Sequence, residues 1–166
     1  MRRFAVVSAV LSLAAVVAAC GKPAAEGGDG ASSAGPQPAE LAPEQIKALQ
    51  ASLPAPYNAA DIANGKMKFA ICSACHTLTP GGPNMTGPNL HGIVGTKAAA
   101  VPNYNFSDAL KAQTFSWDAA HLDAWIADPK AVAPGTKMTF AGVKDAKDRT
   151  DLVAYLMVAT ADAPKP

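Results

Sequence analysis

An excess of charge of either sign is missing from this chain. Its 166 residues carry 14 Lys and Arg against 13 Asp and Glu, a formal +1. Nucleic-acid binding therefore has no electrostatic support. Cysteine and histidine are scarce, three of each. His91 and His121 stand alone, so no second Cys/His pair is spaced to complete a zinc site. No strand alternation rises above noise, and no internal repeat is visible. No apolar run is long enough for a permanent membrane span. The best, Phe4 to Ala19, is broken only by Ser8 and Ser12. As a helix it covers only about 24 Å, against a hydrocarbon core of roughly 30 Å. A chain of this length is one domain, or one small domain with tails.

What is present is concentrated in one stretch. Cys72-Ser73-Ala74-Cys75-His76 reads C-x-x-C-H, the attachment signal for a c-type haem. Two thiols three positions apart on a helical or turn backbone can each add to a vinyl group of one porphyrin. The next residue then puts an imidazole under the ring, where its Nε2 can bind iron. His76 is the expected proximal ligand, and Cys72 and Cys75 the expected thioethers of one covalent haem c. By composition alone a chance C-x-x-C-H is on the order of one in a thousand, so the motif outweighs its rivals. A dithiol redox motif would want a preceding βα pattern of thioredoxin type, and none is visible.

The N-terminus reads as a secretory signal. Arg2 and Arg3 form its positive region, and Val17-Ala18-Ala19 closes it with small residues before Cys20. The V-A-A-C ending resembles a bacterial lipobox, which implies cleavage before Cys20 and lipid on that residue. The other reading is an ordinary signal peptide cut at the Ala pair, leaving Cys20 free. A free exposed thiol is a liability in an exported protein, and several acyl chains anchor stably where one does not. With Cys20 lipidated and Cys72 and Cys75 on haem, no disulfide is possible. Loss of residues 1–19 removes two basic residues and leaves twelve against thirteen acidic, or −1. Docking on partners must then come from local patches. The expected location is the periplasmic face of a bacterial membrane. Gly21 after the lipobox Cys points to outer-membrane sorting by the same resemblance.

Residues 20–56 are rich in Ala, Gly, Ser and Pro and read as a tether. Within them Pro43 to Leu53 has the marks of a transient helix in a linker, with Ile46, Leu49 and Leu53 on one side. The folded domain is expected over residues 57–161, with a tail at 162–166, and it is all-α. Asp61 can cap a helix running to about Ala70, with Gly65 on or near its apolar face. Thr79 to His91 is loop, because of its Pro and Gly residues. Further helices are expected at Phe106–Gln113, at Ser116–Ala127 with Ser116 as cap and Pro129 as terminator, and at Asp148–Thr160.

A haem with one protein ligand is a catalyst or gas binder; with two it is an electron carrier. Candidates for the second ligand are Met67, Met85, Met138, Met157, His91 and His121. For Met67 and Met157, on helices, core packing is the default. Met138 sits in the Pro-Gly loop Val132-Ala133-Pro134-Gly135-Thr136-Lys137-Met138-Thr139-Phe140. There it has little packing reason and a good ligand reason.

Four segments now resemble class I cytochromes c of the mitochondrial type and their bacterial relatives. They are F-A-I-C-S-A-C-H-T-L from Phe69, T-G-P-N-L-H-G-I-V-G from Thr86, P-G-T-K-M-T-F-A-G from Pro134 and D-L-V-A-Y-L from Asp151. Order and spacing match over nearly all of Asp61 to Thr160. The resemblance implies the cytochrome c fold, with helices wrapped around one covalently bound haem c. It implies Met138 as distal iron ligand, and Pro88 as the carbonyl that receives the Nδ1–H of His76. It implies that Gly65 and Phe69 cross Leu152 and Tyr155. Trp117 would hydrogen-bond a haem propionate, and Thr136 and Ser107 would line the haem edge. His91 falls at a family position that does not bind iron; His121 reads as a surface helix residue. There are departures. Thr96 replaces an arginine near the propionates, and Phe106 a tyrosine, with Tyr104 as a possible substitute. Trp125 stands where a tyrosine often touches the axial methionine. Ile71 and Ala131 replace docking lysines, which leaves Lys68, Lys97, Lys130, Lys137 and Lys144.

The expected function is a membrane-tethered one-electron carrier, not an enzyme. Resemblance implies a quinol:cytochrome c oxidoreductase as donor and a haem–copper oxidase or other reductase as acceptor. The alternatives are a dedicated subunit of a periplasmic dehydrogenase or reductase, and a haem peroxidase or gas-binding protein if Met138 is labile.

Overall fold

The computed structural model describes residues 41–162, all within one compact unit. The signal segment, Cys20, the tether up to residue 40 and the last four residues of the tail lie outside the described residues.

Helix α1 spans Pro43–Ala51. Proline suits the first helical position, where its missing N–H has no partner to lose. The Gln45 side chain accepts the Ala42 N–H at 2.9 Å. This stretch was expected as a transient helix in a linker. Instead its half-buried stripe of Ile46, Leu49, Gln50 and Leu53 faces the domain. It packs against the last helix and the 3-10 turn Tyr57–Ala59, and Gln50 Nε2 donates to the Ala60 carbonyl at 2.6 Å. Nine residues are too few for a stable isolated helix; these tertiary contacts supply the difference.

Helix α2, Ile62–Phe69, starts at Asp61, whose carboxylate accepts the Asn64 N–H at 3.0 Å. A 3-10 turn over Cys72–Ala74 follows. Helix α3 is a single turn, Asp108–Lys111, capped by the Ser107 hydroxyl. It is shorter than the expected 106–113 because Ser107, the cap, is itself extended (φ −66°, ψ 153°) and the Phe106 N–H turns back to the Tyr104 carbonyl at 3.2 Å. Helix α4 covers Ala119–Ala127. Its cap is Asp118, which accepts the His121 N–H at 2.8 Å, not Ser116. Ser116 is held in an antiparallel bridge with Lys97, two residues short of the helix. Asp128 then closes α4 and caps α5, Pro129–Val132, by accepting the Lys130 and Ala131 N–H groups. Pro129 does end α4, and it also opens α5, which the sequence reading did not foresee. Helix α6, Ala146–Ala159, is capped by Asp145. No strand is present among the described residues.

The α2–α6 crossing is the most extensive helix contact. Gly65 permits it: a Cβ there would run into the Asp151 carbonyl and lie 2.7 Å from Tyr155 Cβ. The Phe69 and Tyr155 rings meet at 5.7 Å, and Leu152 and Val153 are fully buried. Met67, expected in the core, is 67% exposed. It stands two positions from both Gly65 and Phe69, on the opposite side of a helix of period 3.6.

A carboxylate ties the crossing together. Asp151 is 2% exposed. It accepts from the Asp61 N–H at 2.9 Å, Asn64 Nδ2 at 2.8 Å and Lys147 Nζ at 2.6 Å. Burial pushes its carboxyl up, but the bonds from Lys147, Asn64 and the Asp61 N–H outweigh that and hold it below the usual carboxylate range. Its folded pKa is depressed, so the stability it contributes is full above about pH 4, its unfolded value, and is lost as pH falls through the folded pKa. Asp151→Ala leaves three donors without an acceptor and should cost about 2–4 kcal/mol in urea unfolding. In an acid titration of Tm, Asp151→Asn should show a shallower decline below about pH 4 than wild type.

Candidate haem site

The helices enclose an apolar cavity of about 290 Å³. Cys72, Cys75, His76 and Met138 all line it. Trp117, Trp125 and Leu156 contribute from α4 and its approach and from α6. Trp117 and Trp125 meet edge to face at 5.5 Å.

The attachment residues converge because their backbone is tightly wound. The Cys75 and His76 N–H groups both donate to the Cys72 carbonyl, each at 3.0 Å. Both thiols are free. Burial, and after it the neighbouring Cys75, pushes the Cys72 thiol up to about 11. A redox dithiol attacks through a thiolate near neutral pH, so Cys72 is poorly set for that role.

The His76 Nδ1–H donates to the Pro88 carbonyl at 2.8 Å. A carbonyl only accepts, so this contact assigns the proton to Nδ1 and leaves the lone pair on Nε2. Burial lowers the imidazole pKa and the Pro88 bond opposes this; the net direction is down. The ring is therefore neutral at pH 7, as a ligand must be. Gly87 lies flat against it: a Cβ there would collide with the ring, 2.7 Å from both nitrogens. Gly87 is itself fixed by its N–H to the Cys75 carbonyl at 2.8 Å. Gly87→Ala should rotate His76 out of place. The expected result is loss of the low-spin ferric spectrum in the haem-loaded protein, with helix content retained by circular dichroism.

Met138 is placed by loop fastenings. Ala133 to Thr136 forms a β-turn, closed by the Thr136 N–H on the Ala133 carbonyl at 2.9 Å, with Gly135 at φ 92°. Pro-Gly at the centre of such a turn is what its backbone requires. Thr136 Oγ1 accepts the Met138 N–H at 3.2 Å. Lys137 Nζ reaches across to the Asn105 carbonyl at 2.9 Å.

Other expected residues fall differently. Trp117, Thr136 and Ser107 all line the cavity, and Ser107 also caps α3. Tyr104 lines it too, but its hydroxyl donates to the Thr86 carbonyl at 2.5 Å. Neither His91 nor His121 reaches the cavity. His91 Nε2 faces Asp162 at 3.1 Å, and His121 stacks on Phe115 at 4.3 Å beside Asp118. The sequence reading missed Asn89, whose Nδ2 bridges Thr77 Oγ1 and the Thr79 carbonyl at 2.6 and 2.9 Å. Its N–H is taken by Asn84 Oδ1 at 2.9 Å. Asparagines inside a Pro-Gly loop were the available signal, since Asn side chains close loops on their own backbone.

The donor set is two thiols, a neutral imidazole and a thioether around an apolar space, with Gly87 packed against the imidazole ring. That set fits a covalently held porphyrin. It does not fit a bare metal ion: no group of three or more His, Cys, Asp or Glu residues gathers among the described residues.

No family model matches the chain. Individual proteins do. Cytochrome c2 of Rhodomicrobium vannielii is 43% identical over 100 residues, covering 60% of this chain and 80% of that protein. Cytochrome c of Kluyveromyces lactis is 39% identical over 108 residues, covering 64% of this chain and 98% of that protein. Among solved structures, cytochrome cH from Methylobacterium extorquens superposes with a TM-score of 0.55 at 48% identity, over 58% of this chain and 97% of its own. Fold and site thus define a haem protein of the c type. The chain belongs to the class I cytochrome c family, all-α with one covalently bound haem c, and is an electron carrier and not an enzyme.

Proposed function

We propose that the chain is a membrane-tethered carrier of single electrons on the periplasmic side of a bacterial membrane. In this reading Cys72 and Cys75 would hold the haem covalently, and His76 and Met138 would bind its iron. The observation that carries it is one apolar cavity lined by both thiols, the neutral imidazole and the loop thioether. The haem supplies one-electron chemistry by cycling between ferrous and ferric iron. The residues set its terms. Pro88 orients His76 through Nδ1. A neutral thioether at Met138 favours the ferrous state relative to a second imidazole, and the apolar wall disfavours the extra ferric charge. Trp117, which lines the cavity, would donate to a propionate, and Thr136 and Ser107 would line the haem edge.

Cys20, lipidated, would anchor the carrier. No helix among the described residues is long and apolar enough to cross a membrane. Its partners would be a quinol:cytochrome c oxidoreductase as donor and a haem–copper oxidase or another reductase as acceptor.

Expression in a host that attaches haem covalently tests the ligand set. Wild type should be red and low-spin, with haem retained after denaturation. Cys72→Ala with Cys75→Ala should lose covalent haem, and the apo domain should be largely unfolded, because ligand binding carries much of the stability of so small a fold. A compact helical apo domain would refute that. Mass spectrometry of the mature N-terminus should find acyl chains on Cys20; a bare thiol there would remove the anchor.

A further inference from the structure

A carrier must be met by a partner at the mouth of its haem cavity, and the side chains around that mouth are unusual in kind. Among the described residues, the large apolar side chains that stand exposed are Met67, Ile71, Met85 and Val94, at 67%, 64%, 46% and 37%. Three of these gather at the attachment segment. Ile71 directly precedes Cys72 and borders the cavity. Met67 lies four residues earlier, and Ala70 and Ile71 keep helical backbone angles, so the two share one helical face. Met85 is tied to the same place through Gly87. Its N–H donates to the Gly87 carbonyl at 2.8 Å, and the Gly87 N–H donates to the Cys75 carbonyl at 2.8 Å.

Most of the cations among the described residues are engaged with the protein itself. Lys68 pairs with Asp148 at 2.6 Å, Lys147 with Asp151 at 2.6 Å, and Arg149 with Asp123 at 2.7 Å. Lys137 and Lys144 hold backbone carbonyls of Asn105 and Ala127. Lys66, beside Met67, also has an interaction of its own. Among the described residues Lys47, Lys97 and Lys130 have no such side-chain contact, and none of the three borders the cavity.

We propose that Met67, Ile71 and Met85 form an apolar docking face continuous with the cavity mouth, and that the redox protein seated there presents an apolar, uncharged surface around its own cofactor. The proposal rests on the carrier reading. Its reasons are the contact of the patch with the segment where the electron must leave, and the local pairing of charge. Exposed apolar clusters of this sort mark protein contact sites, and methionine is enriched at interface cores and adapts to more than one surface. Association would be held by burial of these side chains and little steered by charge.

The test follows oxidation of the full-length ferrous protein by membranes of the bacterium that makes it. Salt is raised from about 0.01 M to about 0.15 M, which shortens the Debye length from roughly 30 to 8 Å. The wild-type rate should change by less than about twofold. Met67→Lys with Met85→Lys, both exposed and outside the cavity, should slow it roughly tenfold, the effect of about 1.4 kcal/mol. Oxidation by ferricyanide should not be slowed in the same variant. A steep fall of the wild-type rate with salt, or acceleration by the added lysines, would overturn the proposal in favour of an acidic partner. Loss in the variant of a wild-type dimer seen by sedimentation, or of binding to phosphatidylglycerol vesicles, would overturn the choice of occupant. A wild-type protein that ferricyanide cannot oxidise would instead remove the carrier reading.

Discussion

Met138→Ala should keep the haem attached and vacate one side of the iron. The reason lies in how residue 138 is held. Its position is set by the Ala133–Thr136 turn, by the Met138 N–H on Thr136 Oγ1 and by the Lys137 ammonium on the Asn105 carbonyl. None of these uses the Met138 side chain, so truncation removes the donor and leaves the loop. The thioether links at Cys72 and Cys75 are chemically independent of it. The ferric protein should turn high-spin, lose the red charge-transfer band of sulfur-bound ferric haem, and take up imidazole or azide. The reduction potential should fall by on the order of 0.1–0.3 V, within the ≈ 0.8 V that axial ligands span. Removal of a half-buried side chain that packs on the core should cost about 2 kcal/mol besides. Visible absorption and potentiometry check the result. An unchanged ferric spectrum would mean that another residue binds the iron.

Gly65→Val is expected to prevent the native fold, and Gly65→Ala to cost about 3 kcal/mol or more, at or beyond the usual range for overpacking. The sign is the informative part. On an exposed helix surface, alanine for glycine would stabilise by about 1 kcal/mol. Here the added methyl meets the Asp151 carbonyl and Tyr155 Cβ. Backbone cannot rotate away, and α6 cannot retreat, because Leu152 and Val153 behind that carbonyl have no exposed surface at all. The helices would have to part, which also stretches the bonds from the Asp61 N–H and Asn64 to Asp151. Denaturant unfolding of the haem-loaded variants measures this. A stable Gly65→Ala protein would show that the crossing is looser than it stands.

Some features were legible because their causes are local. The C-x-x-C-H turn, the Asp61 cap and the Pro-Gly loop carrying Met138 are each written in a few adjacent residues, and each stands where its chemistry predicts. The close approach at Gly65 was legible only through resemblance, since a glycine inside a helix reads as a defect until its neighbour is known. Other features depend on contacts between distant segments. Helix α1 has a weak amphipathic pattern and gains its stability from α6. Asp118 takes the cap of α4 because Ser116 is held by Lys97, across an intervening loop. The Tyr104 hydroxyl bond to the Thr86 carbonyl joins two segments eighteen residues apart. Met67 was judged by residue type, and helical phase put it outside.

The segment that carries Met138 is stitched to the scaffold at both ends. At its start the Ala133 N–H donates to the Pro129 carbonyl at 3.0 Å, and at its close the Val143 N–H donates to the Ile126 carbonyl at 2.9 Å. Lys144 then holds the Ala127 carbonyl at 2.7 Å. The span between is thus closed at both ends on α4 and α5. Substitutions confined to this short span are expected to alter the surroundings of the iron while those two helices stay where they are.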